Sequence, residues 1–171
     1  MFGTDTFRQK YPCLCGACFA TVFPRRIICC GEELFRMRIL CAYGCGESMS
    51  ANHLFLECDV PNTVWLHVRH WIGIPTVFPC QVMEHHSQFT LLAGIPRSSQ
   101  CVFKVIWFAC VWVIWKDRND RVFKNTGSHS SVLREKIKLH SFLWLKAKWP
   151  SFHLCCDDWW QRPLHCMSVR L

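Results

Sequence analysis

The chain has 171 residues, of which 51% are hydrophobic and 19% charged. That balance excludes a disordered polyelectrolyte and suits one folded domain, with or without an extension. Lys and Arg outnumber Asp and Glu by 20 to 12, and the resulting charge of +8 suits a polyanionic partner without requiring one.

Fourteen cysteines constrain the compartment. In a secreted chain they would pair as disulfides, whereas in a reducing compartment they act as metal ligands or free thiols. The opening, MFGTDTFRQKYPC, contains Asp5 and no apolar core, so it does not read as a signal peptide and an intracellular setting is expected. Residues 1–33 form an unassigned, cysteine-rich extension carrying Cys13, Cys15, Cys18, Cys29 and Cys30 with no clear period. The Cys15-x2-Cys18 pair is half of a metal site, but the adjacent Cys29 and Cys30 are poor geometry for the other half. Redox chemistry there would need a thioredoxin-like sheet, which the pattern does not suggest. Glu32–Leu40 has the spacing of a short helix, with Leu34, Phe35 and Ile39 on one face.

The next segment, CAYGCGESMSANHLFLEC, places Cys41, Cys45, His53 and Cys58 in the order C-x3-C-x7-H-x4-C. Zinc favours four nitrogen or sulfur donors in a tetrahedron. Cys41 and Cys45 form one pair on a loop that Gly44 and Gly46 allow to turn tightly, and His53 and Cys58 form the second. Four protein donors leave no open position, so such a site is structural, not catalytic. Buried cysteines and a core histidine can also coincide in a chain this rich in both, so the spacing alone leaves that reading open.

DVPNTVWLHVRHWIG predicts a helix opened by Asp59 and Pro61 and stopped by Gly73. Its apolar stripe is Val64, Trp65, Val68, Trp71 and Ile72, with His67 and His70 on the opposite, solvated side. Residues 74–97 are punctuated by Pro75, Pro79, Gly94 and Pro96 and read as irregular, with a weak helix over Val82–Leu92. His85 and His86 fall there without ligand spacing to any cysteine. Ser98 or Ser99 caps a long helix reaching about Asn125, followed by Gly127. Within it, Val105–Trp115 (VIWFACVWVIW) is shorter than the ~20 residues of a membrane span and reads as a buried helix, with a membrane anchor as the rival reading. Ser130 or Ser131 opens a further helix that Pro150 ends, with Leu133, Ile137, Phe142 and Trp144 as its apolar positions. Trp159, Trp160 and Cys166 belong to a packed coil. No strand alternation is visible, so the fold expected is mainly α: a small Cys3His turn followed by several helices.

From Lys116 to Lys148 there are nine Lys or Arg against three Asp or Glu. Arg118, Arg121 and Lys124 recur every three residues. They read either as a stripe contacting phosphates or as a solvated face whose cations favour the helix C-terminus. The cysteine–histidine loop itself carries Glu47 and Glu57 and no cation, which makes it a poor phosphate binder. Asp157-Asp158 lacks the third carboxylate and strand setting of a two-metal site. No P-loop or nucleophile–base pair stands out, so no catalytic residue is assigned and no small-molecule substrate is expected.

The run Glu47-Ser48 and His53–Cys58 (HLFLEC), followed by Val64-Trp65, Val68, Trp71 and Gly73, resembles the zinc-binding domain that follows the reverse transcriptase of plant LINE-type (non-LTR) retroelements. The resemblance continues in order through Phe89-Thr90, Ile106–Thr126, Lys136–Ala147 and the Trp159-Trp160, Pro163-Leu164 and Cys166 positions, so that a domain over 34–166 and a tail over 167–171 are expected. It implies one structural zinc held by Cys41, Cys45, His53 and Cys58. It also implies a non-catalytic module that accompanies a reverse transcriptase and helps it engage RNA or DNA. Residues 1–33 depart from the family pattern. The alternative is a protein-interaction or purely structural fragment of a decayed element, without nucleic-acid binding.

Overall fold

The computed structural model describes residues 40–73, 79–91, 97–149 and 155–164. Cys13, Cys15, Cys18, Cys29, Cys30, Pro150, Cys166 and all of the expected 32–40 helix but Leu40 lie outside them. The described chain begins with a tight knuckle. Leu40 pairs with Ser48 in an isolated antiparallel bridge. The Cys41 N–H donates to the Glu47 carbonyl at 2.9 Å, and the Gly44 N–H to the Cys41 carbonyl at 3.0 Å. Gly44 and Gly46 take φ of +81° and +83°, a region that side-chain-bearing residues rarely enter. A π-helical turn, His53–Glu57, follows, and the Cys58 N–H closes it onto the His53 carbonyl at 3.1 Å.

Helix α1, Asp59–Ile72, begins where the π-turn ends. Its N-cap is Cys58, one residue before the Asp59 expected from sequence, and Asp59 instead places its charge in the first turn. Gly73 closes it as predicted, in the left-handed region at φ +76°, with its N–H on the Arg69 carbonyl. The predicted apolar stripe is buried throughout. Helix α2, Val82–Thr90, confirms the weak helix and carries His85 and His86 on a regular element instead of an irregular one.

Helix α3, Arg97–Lys124, is the long helix. The expected cap at Ser98 or Ser99 lies inside it, because it starts at Arg97. By length and composition Ser99–Lys124 is apolar enough to cross a membrane, yet 67% of its most apolar window is covered by the rest of the protein. A helix that is apolar nearly all round suits the centre of a fold as well as a bilayer. Here Val105 to Val111 are all buried, against α2 on one side and α4 on another.

Helix α4, Ser130–Lys148, packs on both α3 and α1. Its N-cap is His129, whose Nδ1 accepts the Ser131 N–H, so the serines expected to cap it fall within the first turn. Leu133, Ile137 and Trp144 are buried as expected, while Phe142 is half-buried edge-on to Trp160. The tail expected as coil forms a short helix, α5, Cys156–Gln161, whose Trp159 is fully buried. The reason is docking: the Trp71 indole donates to the Trp159 carbonyl, and the Trp159 indole to the Lys138 carbonyl, each at 3.0 Å. Trp71 therefore packs on Trp159 (5.3 Å between rings), whereas Trp65 meets Trp107 of α3. The fold is mainly α, and among the described residues no strand occurs.

Candidate metal centre

The knuckle, the π-turn and the first residue before α1 bring Cys41, Cys45, His53 and Cys58 together. Their Sγ and ring-nitrogen atoms all lie within 4.8 Å of one another, so the group could hold a metal ion. Cys41 Sγ is 3.6 Å from Cys58 Sγ, and Cys45 Sγ is 3.2 Å from His53 Nε2. Local structure sets each donor. The glycine turns aim Cys41 and Cys45, the Ser50 hydroxyl accepts the His53 N–H at 2.9 Å, and the π-turn delivers Cys58 to the mouth of α1. With Nε2 facing the sulfurs, His53 Nδ1 points towards the Glu57 carboxylate 4.0 Å away, the kind of outer partner that fixes a ligating ring.

The electrostatics pull the donors in opposite directions. The Tyr43 N–H donates to Cys41 Sγ at 3.4 Å. The Glu47 N–H lowers the Cys45 thiol below its ordinary range, helped by the Cys41 and Cys58 thiols. Burial pushes Cys58 up to about 12, against the Val60 N–H, which pulls the other way without forming a capping bond. Neighbouring Cys41 and Cys45 add to the rise. Cys41 and Cys58 are buried and Cys45 is exposed; sulfurs this close cannot all be thiolates unless a cation neutralises them, so an ion entering the group must displace protons.

The centre is tied to the helices. The Tyr43 hydroxyl donates to the Ile114 carbonyl of α3 at 3.3 Å, and the Arg121 guanidinium lies over its ring at 4.9 Å. Burial, then the Asp117 charge, pushes the Tyr43 phenol well above its ordinary range. Asn52, beside His53, accepts the Val82 N–H that starts α2, and the Trp65 indole donates to the Phe55 carbonyl at 2.7 Å. None of these links is visible as a motif.

The structure places Arg118, Arg121 and Lys124 in three different settings. Arg118 is buried, bonded to Asn119, and burial pulls its guanidinium below the usual arginine range. Arg121 is bound to Asp117 at 2.7 Å and to the Ser128 carbonyl. Lys124 is exposed, on Asp120 at 2.6 Å. The three cations do not share one open face: Arg118 is buried, Arg121 is half-buried and Lys124 is exposed. The i,i+4 spacing of Asp117 and Arg121 was the available signal. His67, His70, His85 and His86 take no part in the metal group. His85 is buried instead as a core acceptor, its Nδ1 receiving the Trp107 indole N–H at 3.1 Å.

Comparisons with family models, with curated proteins and with solved structures give no match. The functional reading therefore starts from the four donors.

Proposed function

We propose that the protein is a non-catalytic, zinc-stapled helical module of the kind that accompanies a retroelement reverse transcriptase. The observation that carries the zinc reading is the closed set of four N and S donors. Zinc–ligand distances of ~2.3 Å to sulfur and ~2.0–2.1 Å to nitrogen give tetrahedral edges of about 3.8 Å for S···S and 3.6 Å for S···N. The observed 3.6 Å and 3.2 Å lie near these values, and the longest separation of 4.8 Å is within about 1 Å of them. With four protein donors the ion has no open position for a substrate. Its contribution is to fix the knuckle against the start of α1. Asp157 and Asp158 are exposed in the first turn of α5.

The retroelement part of the reading is supported by the ordered motifs from Glu47 to Cys166. Its nucleic-acid part is supported by the charge of +8. With Arg118 buried and Arg121 half-buried on Asp117, the exposed cations near the end of α3 are Lys116 and Lys124, which share the exposed edge with Asp120 at 3.2 Å and 2.6 Å. Affinity for single-stranded RNA should drop steeply with salt and flatten in Lys116→Ala/Lys124→Ala. Loss of Arg121 is no clean test, because it breaks an internal ion pair. Absence of binding at low salt would favour the second reading, protein interaction, for which α4 supplies a specific observation developed below.

Metal analysis tests the zinc. One zinc per chain is expected in protein purified without chelator. Cys58→Ser and His53→Ala should lower it, whereas Cys13→Ser, Cys15→Ser and Cys18→Ser should leave it at one. No zinc, with Cys41 and Cys45 joined as a disulfide, would remove the basis for the reading.

A further inference from the structure

We propose that the outward face of α4 docks an acidic amphipathic helix of a partner protein. The inference rests on the protein-interaction reading above and names its partner class; it does not depend on the identity of the metal. Helix α4 turns Leu133, Ile137, Ser141, Trp144 and Leu145 into the core. On its opposite side Val132, Leu139 and Leu143 are 47%, 45% and 48% exposed. With Lys136 and Lys146, both exposed, they form the series Val132, Lys136, Leu139, Leu143, Lys146. Its steps of four, three, four and three residues are those of a coiled-coil seam. At 1.5 Å per residue the seam is about 21 Å long, roughly four turns. A soluble helix has no folding reason to keep that spacing on its solvent side.

Charge decides the occupant. The helix carries one acid, Glu135, already engaged by Arg134 at 2.8 Å, Lys138 at 3.5 Å and the Trp160 indole at 3.0 Å. Lys136 bonds only the Ser128 hydroxyl, and Lys146 lies over the Phe142 ring. Among the described residues neither has a carboxylate within ion-pair distance. Both lysines stand on the seam itself, between and beyond the apolar residues. A bilayer would have to bury those ammonium groups along with Leu139 and Leu143, because on a membrane-lying helix cations border the apolar face instead of interrupting it. A second copy would bring the same lysines, on a chain of charge +8, against one another. A helix with Leu-type residues on its own seam and Glu or Asp beside them covers the apolar residues and pairs both lysines, the way charged seam positions select partners in coiled coils.

The test uses the full chain, with metal content measured on the same sample. Two synthetic 21-residue helices serve as probes, one with Leu at its a and d positions and Glu at e and g, the other with Lys in place of Glu. Titration should show the Glu helix binding at least about tenfold more tightly than the Lys helix. Leu139→Glu/Leu143→Glu should abolish binding. Lys136→Glu/Lys146→Glu should reverse the preference, with circular dichroism and metal content unchanged. Binding by a sample that proves metal-free would sink the zinc reading and support this one. Equal affinity for the two helices, or no binding by metal-containing protein, would overturn it. So would a concentration-dependent dimer lost in Leu139→Glu/Leu143→Glu, or capture by phosphatidylserine vesicles or single-stranded RNA that is tighter than by the Glu helix and is lost in that same variant.

Discussion

Asp117 holds together the turn between the two longest helices. One carboxylate oxygen accepts Arg121 Nε at 2.7 Å, and the other accepts the Ser128 N–H at 2.8 Å. Its side chain is 3% exposed. Removing it leaves a half-buried guanidinium and a backbone N–H without this partner, so Asp117→Ala should cost about 3 kcal/mol, read from urea unfolding. Gly127 sits against the same arginine: an added Cβ would meet the guanidinium at 2.4 Å. His85 offers a pH test. Burial, then the His86 and Arg69 charges, holds it down to about 4. The folded state therefore binds a proton less readily than the unfolded chain, and stability should fall as pH drops from about 6.5 towards 4. His85→Gln keeps an acceptor for Trp107 and does not titrate. Its unfolding free energy should lose that slope relative to the parent, and identical slopes would show that His85 does not titrate in this window.

At the scale of elements, what the sequence disclosed follows burial. α1 and α4 were legible because each turns a stripe of Val, Leu, Ile and Trp into one core, and a 3.6-residue period survives in the letters, whereas α3 was legible as an unbroken apolar run, Val105–Trp115, buried on most sides. Their ends were less legible. Cys58 stands at the N-cap of α1 without a side-chain capping bond, while at α4 the His129 imidazole accepts the Ser131 N–H, the work usually given to Asp or Ser. α5 has too few residues to show a period, and its existence depends on Trp71 and Lys138, far away in sequence. Gly73 shows the opposite case, a stop fully readable in advance. Gly73→Ala puts a side chain at φ +76° and should cost about 1 kcal/mol, lowering the melting temperature by roughly 2–4 °C. An unchanged melting temperature would mean that α1 can end elsewhere.

Across the whole molecule the metal group is a local site with distant attachments. Its ligands were readable because they lie close together in the chain. Its attachments were not, because the Tyr43 hydroxyl reaches a carbonyl 71 residues on. The settings of the cations on α3 were hidden for a related reason: composition counts charges but does not say which of them the fold buries, as it does Arg118. Chelation should therefore loosen more than residues 41–73. Amide exchange should also quicken in the 125–129 turn, since Arg121 stacks on Tyr43 while bonding Ser128. Tyr43→Phe keeps the ring and should confine the change nearer to the knuckle. If exchange in that turn ignores the metal in both proteins, the attachment carries no coupling.

Order of synthesis gives these distances a temporal meaning. The outermost donors, Cys41 and Cys58, are only 17 residues apart. Loops of that length close in well under a millisecond, whereas a ribosome adds about 5–20 residues per second. The nascent chain can thus bring its four donors together seconds before Ile114 has been translated. α3, apolar on nearly every side, then emerges next to a finished surface on which to fold, which shortens the time it stands exposed to chaperones, membranes and other chains.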